Sequence, residues 1–191
     1  MRKCWVAICG LWAVGVIVGF NVQWAYCSKP GPVVTAPAVW PFVFATGFAQ
    51  QPRRPTLVMF AHPRCPCTRA SMQELDKLVA QAPGKIDVQV LFYKPSMEPP
   101  SWAETDLLRS ARRIPGARVF VDEDNMIAQQ FAIATSGQVF LFGRDGDLLF
   151  SGGITAGRSA ILSLLRGEAH NRLATPVFGC PLCESVPGLR N

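Results

Sequence analysis

The stretch LVMFAHPRCPCTRASMQELDKL, Leu57 to Leu78, constrains this chain more than any other part of it. Leu57 to Ala61 is a short apolar run of the length and character of a buried strand. Met72, Leu75, Leu78, Val79 and Ala82 then recur at three- and four-residue steps, which predicts a helix. Between them, His62-Pro63-Arg64-Cys65-Pro66-Cys67-Thr68 places two cysteines where a strand hands over to a helix. The unpaired N–H groups and the positive dipole end of a helix favour an anion there. Thiolate is the form that attacks disulfides and binds metals, so Cys65 and Cys67 are candidate reactive groups. Pro66 suits the first turn of that helix, where a missing N–H costs nothing.

Ahead of this stretch, Cys4 to Tyr26 contains no charged side chain. About 20 apolar residues at ~1.5 Å each span a hydrocarbon core of ~30 Å, so residues 4–26 read as a transmembrane helix. Trp5 and Trp24 stand near its ends, where interfacial aromatics are favoured. Arg2 and Lys3 precede the run and only Lys29 closely follows it. The positive-inside rule therefore leaves the N-terminus in the cytoplasm and sends the rest across the plasma (inner) membrane, to a periplasmic or extracellular side. A cleaved signal peptide is the alternative, but no small-x-small site follows the run, and bulky Tyr26 before Cys27 argues against lipoprotein processing. Either way the working part is exported, where cysteines persist as disulfides. The net charge of +6 is spread along the chain. Arg109, Arg112 and Arg113 cluster without interleaved aromatics, which reads as a solvated helix face and not as a nucleic-acid surface.

Ser28 to Pro55 holds six of the sixteen prolines and reads as a spacer. Trp40 to Phe48 interrupts it with an aromatic patch that either docks on the domain as an extra strand or lies near lipid. Further on, Pro83-Gly84 stops the first helix. Ile86 to Tyr93 alternates as a strand, and Ser101 with Glu104 forms a capping box for a helix through about Arg113. Arg118 to Val121 reads as a strand and Asp122 to Ala132 as a helix. Gln138 to Phe142 and Leu148 to Ser151 flank Arg144-Asp145-Gly146 and form a hairpin, followed by an amphipathic helix over Arg158 to Leu165. Alternating units followed by a hairpin predict an α/β fold, a mixed sheet flanked by helices. The chain accordingly divides into a cytoplasmic start and anchor at 1–27, a Pro-rich linker at 28–54, the α/β domain at 55–167 and a tail at 168–191. About 120 residues bury an ordinary core without staples, so the cysteines are not needed to hold the fold together. No glycine-rich phosphate loop is present, so no organic cofactor is expected.

This order, with a cysteine pair between first strand and first helix, resembles the thioredoxin superfamily over about Pro55 to Leu165. The resemblance rests on Leu57-Val58-Met59-Phe60-Ala61, the Cys65-Pro66-Cys67 turn and TSGQVFLFGRDGDLLFSGG, Thr135 to Gly153. More narrowly, the chain looks like the membrane-tethered, RedB-like bacterial branch with an HPxCPCTRAS turn and a terminal FGCPL. The resemblance implies thiol–disulfide oxidoreductase chemistry on protein thiols and disulfides. It also marks three departures. The cysteines are one residue apart instead of two, which makes the disulfide ring smaller. Ser136 stands where the family's cis-proline packs against the cysteine pair and presents backbone to substrate; a hydroxyl there can donate to a thiol or leave room for a metal. The buried carboxylate that passes protons in the family would fall near Met59.

Seven cysteines share out the chemistry. Cys4 and Cys9 lie in the apolar run and read as small hydrophobes, with Cys27 just beyond it. Cys65, expected to be the outermost thiol and flanked by Arg64 and Arg69, is the expected nucleophile, and Cys67 the resolving thiol. Cys180-Pro181-Leu182-Cys183 is a second pair, placed after the fold should be complete. It reads as a dithiol exchanging with the first pair, as half of a four-thiolate zinc site, or as a stapled tail. His62, three residues before Cys65, either stabilises the thiolate, donates a nitrogen to copper, or is an ordinary loop histidine. His62, Pro66 and Ser136 are the residues expected near a substrate. The metal alternative is zinc or copper held by Cys65, Cys67, Cys180, Cys183 and His62.

Overall fold

The computed structural model describes residues 2–27, 29–32, 35–41, 54–168 and 173–182, apart from the side chains of residues 2–4, 6, 7, 26 and 27. The chain divides into two compact units, Met1–Pro30 and Gly31–Asn191. The first is α1, Arg2–Cys27. Its Ile8–Ala25 segment has a mean hydropathy of 1.6 and is long and apolar enough to cross a membrane. Trp5, Leu11, Trp12, Phe20 and Trp24 all stand exposed on it.

In the second unit, β1 (Thr56–Ala61) leads into α2 (Pro66–Gln81), followed by β2 (Asp87–Lys94) and α3 (Asp106–Arg112). Then come β3 (Ala117–Glu123), α4 (Met126–Gln130), β4 (Gln138–Phe142), β5 (Leu148–Gly153), α5 (Ile154–Arg166) and β6 (Leu173–Ala174). Among the described residues these strands form one sheet in the order β3-β2-β1-β4-β5-β6. The first three are mutually parallel, β4 runs antiparallel to β1, β5 antiparallel to β4, and β6 parallel to β5. This is the mixed sheet flanked by helices that the alternation predicts.

Two apolar layers hold it together. On one face Met59, Val90 and Leu141 meet Leu75 and Leu78 of α2, Leu108 of α3 and Ile161 of α5. On the other, Val58, Phe60, Leu91 and Phe140 meet Ile127, Ala128 and Phe131, with Ala36, Trp40 and Leu182 from outside the strands. A strand buried on both faces reads as a continuous apolar run, which is why β1 carries no alternation.

Several local expectations shift. The Ser101–Glu104 box does not open α3: Ser101 sits in a 3₁₀ turn over Pro100–Trp102, and Glu104 is drawn to Arg112 at 2.9 Å. Thr105 is the cap instead, its hydroxyl accepting from the Leu108 N–H. The helix expected over Asp122 to Ala132 shrinks to α4, because β3 runs on to Glu123 and Asp124 and Asn125 take positive φ of 50° and 58°. Asp122 still caps that helix from the strand end, its carboxylate accepting from the N–H groups of Ile127 and Ala128 at 2.9 and 2.8 Å. The tail is not an appendage to a finished fold. Its residues 173–174 add the β6 edge, and Leu182 is buried in the second layer.

Candidate active site

The β1–α2 junction is set by short, local rules. Cys65 takes an extended backbone, with φ −83° and ψ 116°, as the N-cap of α2, and Pro66 is the first helical residue. That places the Cys65 sulfur beside the helix start, where an anion is favoured. Cys67 lies within the first turn and is exposed. Cys65 itself is buried, with 3 % of its surface exposed, so the expectation that it is the outermost thiol is corrected. The reason is the tail. Cys180 lies against it, and the sulfurs of Cys65, Cys67 and Cys180 all fall within 4.8 Å of one another. Cys183, the fourth expected thiol, lies outside the described residues, as does His170.

Burial pushes the Cys65 thiol up, but it is outweighed by hydrogen bonds from the Thr68 hydroxyl and from the backbone and thiol of Cys180. The net effect is a lowering from 9.0 to about 7. Cys180 moves the other way, pushed up to about 12 by burial, by its bond to Cys65 and by the charges of Cys65 and Cys67. Two thiols driven apart in this way assign themselves roles: Cys65 ionises and Cys180 keeps its proton. The arginines expected to favour the thiolate are engaged elsewhere. Arg64 stacks over Trp102 at 4.4 Å, and Arg69 pairs with Asp106 at 2.6 Å.

Ser136 is where the second departure is resolved. Its hydroxyl accepts the His62 N–H at 2.8 Å and bonds to the Thr68 hydroxyl at 2.6 Å. A thiolate can only accept, so Thr68 donates to Cys65 and must accept from Ser136. A chain results, from the His62 N–H through Ser136 and Thr68 to Cys65. Ser136 and Thr68 are both buried. Thr68 lies three residues after Cys65, on the same helical face, and that spacing is the signal by which sequence could have marked it.

The His62 ring has aromatic neighbours. It packs between Tyr93 and Trp102, both at 5.6 Å, and its Nδ1 accepts the Arg64 N–H. Burial and the neighbouring Arg64 charge lower its pKa. Among the described residues, the donor cluster comprises Cys65, Cys67 and Cys180, without His62. Met59 is fully buried among apolar neighbours in the first layer.

The backbone of residues 134–136 receives the tail. The Ser136 N–H donates to the Cys180 carbonyl and the Leu182 N–H to the Ala134 carbonyl, each at 2.9 Å. Thr135 and Pro181 form an antiparallel bridge. Upstream, Val177 accepts from the Gly31 N–H at 2.8 Å, and Thr175 donates to the Ser151 carbonyl at 3.2 Å. The sequence marked the tail motif for its cysteines and gave no role to Gly179 and Leu182, which seat Cys180.

No family model matches the sequence, and no curated protein sequence matches it. Solved structures do. A hypothetical protein from Sinorhizobium meliloti 1021 superposes with a TM-score of 0.59 at 17 % identity, covering 81 % of this chain and 97 % of its own. An uncharacterised conserved protein from Geobacillus kaustophilus gives 0.59 at 17 % identity, covering 83 % and 94 %. A thioredoxin-like protein in its oxidised form gives 0.51 at 17 % identity, covering 74 % and 97 %.

Proposed function

We propose that, on the thioredoxin-like fold this chain carries, Cys65 and Cys67 form the redox pair of a thiol–disulfide oxidoreductase acting on protein thiols and disulfides. The observation that carries this reading is the gathering of three sulfurs at the start of α2, one of them lowered to about pKa 7. The thiolate attacks a disulfide sulfur, and a neighbouring thiol then displaces the partner. Here Cys65 attacks, the partner's leaving sulfur departs as a thiolate and takes a proton, and Cys67 then attacks Cys65 to release the second half. Cys180 and Cys183 serve as a second dithiol. The apolar α1 tethers the protein to the plasma membrane, with its N-terminus cytoplasmic and the domain on the outer side.

A second reading is favoured by the same sulfurs. Three thiolates within 4.8 Å are a soft donor set suited to zinc or monovalent copper, held by Cys65, Cys67 and Cys180. One experiment separates the two. The detergent-solubilised full chain is isolated without reductant or added metal, and its mass is measured under native conditions. The redox reading expects masses lowered by pairs of hydrogens, a Cys65–Cys67 link that glutathione reopens, and loss of exchange with a small disulfide in Cys65→Ser. Exchange unchanged in Cys65→Ser removes the mechanism. A mass raised by one zinc or copper ion, with the thiols protected from alkylation, makes the metal site the working model.

A further inference from the structure

We propose that Gly179–Leu182 is the domain's resident substrate strand, holding Cys180 against Cys65 on the backbone of residues 134–136, so that Cys65 exchanges with Cys180 before it reaches a partner protein. This rests on the redox reading of Cys65 and names what that thiol acts on first.

Three independent features support a built docking site. Main-chain bonds run in both directions across the edge, from Ser136 N–H to Cys180 and from Leu182 N–H to Ala134, in the pattern by which an extended peptide adds to a sheet. The strand is anchored, because Leu182 is only 2 % exposed and packs in the apolar layer formed by Phe60 and Phe131. Its approach is also shaped for closeness. A Cβ at Gly179 would run into the Ser136 carbonyl and the Thr135 methyl, and one at Gly153 into the Pro176 carbonyl. Glycine at both positions lets the tail lie directly on the backbone it crosses.

The consequence is steric and chemical. With that backbone filled and Cys65 buried, the sulfur presented to Cys65 from the tail is that of Cys180, which is partly exposed, while Cys67 is exposed. The step balances within the chain. When a partner has oxidised Cys180 and Cys183 to a disulfide, the Cys65 thiolate attacks the Cys180 sulfur. A Cys65–Cys180 bond forms, and Cys183 leaves as a thiolate and takes a proton. Cys67, as thiolate, then attacks Cys65, forming Cys65–Cys67 and releasing Cys180, which is protonated in turn. Two electrons pass from the first pair to the tail, leaving Cys65–Cys67 oxidised and the tail as a dithiol.

The test uses the full chain in detergent, carrying Cys67→Ser and Cys183→Ser so that only Cys65 and Cys180 remain at the site, and oxidised glutathione as the probe. The docked strand predicts an intramolecular Cys65–Cys180 link by peptide mapping, formed at a rate independent of protein concentration. Adding Leu182→Asp, or separately Gly179→Val, is expected to shift the product at least tenfold toward glutathione on Cys65. Thermal melting of each variant checks that the domain is still folded, and Gly179→Val keeps the test open should Leu182→Asp unfold it. Glutathione on Cys65 as the main product in the parent, or an unchanged product ratio in both tail variants, overturns the proposal. Neither outcome bears on whether Cys65→Ser abolishes exchange, so the tail can fail while the redox pair stands.

Discussion

At the scale of single residues, the acidity of Cys65 depends on groups that do not touch one another in sequence. Thr68 reaches it from the first turn of α2, and Ser136 holds Thr68 in the donating orientation from the far side of the sheet. A hydrogen bond to a charged acceptor contributes about 1.5–3 kcal/mol, enough to offset the burial that raises the thiol. Ser136→Ala removes the donor that Thr68 accepts from and leaves the His62 N–H without its acceptor. The Cys65 thiolate, followed by its ultraviolet absorbance against pH, is then expected to titrate above its parent midpoint of about 7, toward the ordinary thiol value. Ser136→Thr, which keeps the hydroxyl, is expected to restore the parent midpoint. A merely structural role for Ser136 would lower the melting temperature and leave the midpoint in place. The sign of the linkage follows from the same shift. A thiol acidified by folding contributes stability that is fully present above the unfolded value near 9 and is lost as pH falls through about 7.

At the scale of elements, the sheet carries one side chain at odds with its surroundings. Gln89, in the middle of β2, is fully buried, and neither polar end of its amide finds a hydrogen-bond partner among the described residues. A buried amide left unpaired costs about 1–3 kcal/mol, so Gln89→Leu, which fills similar volume, is expected to stabilise the domain by about 1–2 kcal/mol in denaturant unfolding. A loss of stability would mean that the amide is paired in solution. The strand itself was legible from its alternation, β1 from its unbroken apolar run, α2 from its helical period and the hairpin from its turn, because each is long enough for that signal to be read. The Cys65-Pro66-Cys67 junction was legible for the same reason, since strand, proline and helix period all point to one place. What escaped was set by contacts between distant parts. Thr105 and Ser101 both offer cap chemistry, and only the pairing of Glu104 with Arg112 and the 3₁₀ turn decide between them. The two-residue β6 and the single bridge at Pro181 are too short to show any periodicity. That Cys65 lies beneath the tail therefore could not be read from its neighbours in sequence.

At the scale of the molecule, the segment before β1 is more than a tether. Leu148 donates to the Ala38 carbonyl at 2.9 Å and Trp40 to the Gly146 carbonyl at 2.7 Å, with Val39 and Asp147 bridged as an antiparallel pair. The docking choice left open for the aromatic patch is thus answered at Trp40, while residues 42–50 lie outside the described residues. Trp40 meets Phe142 and Phe131 edge-on, with ring centres 5.1 and 5.8 Å apart, and closes the aromatic layer that also receives Leu182. The same apolar layer therefore seats a residue from each flank of the domain. Replacing Trp40 by alanine removes a buried aromatic from that layer and is expected to cost about 3 kcal/mol in unfolding free energy. Because Leu182 packs in the same layer, the loss should extend beyond stability. In the Cys67→Ser/Cys183→Ser background, Trp40→Ala is expected to lower the yield of the Cys65–Cys180 link under conditions where the domain remains folded. A variant that loses stability but forms that link as fast as its parent would mean that the two flanks are anchored independently.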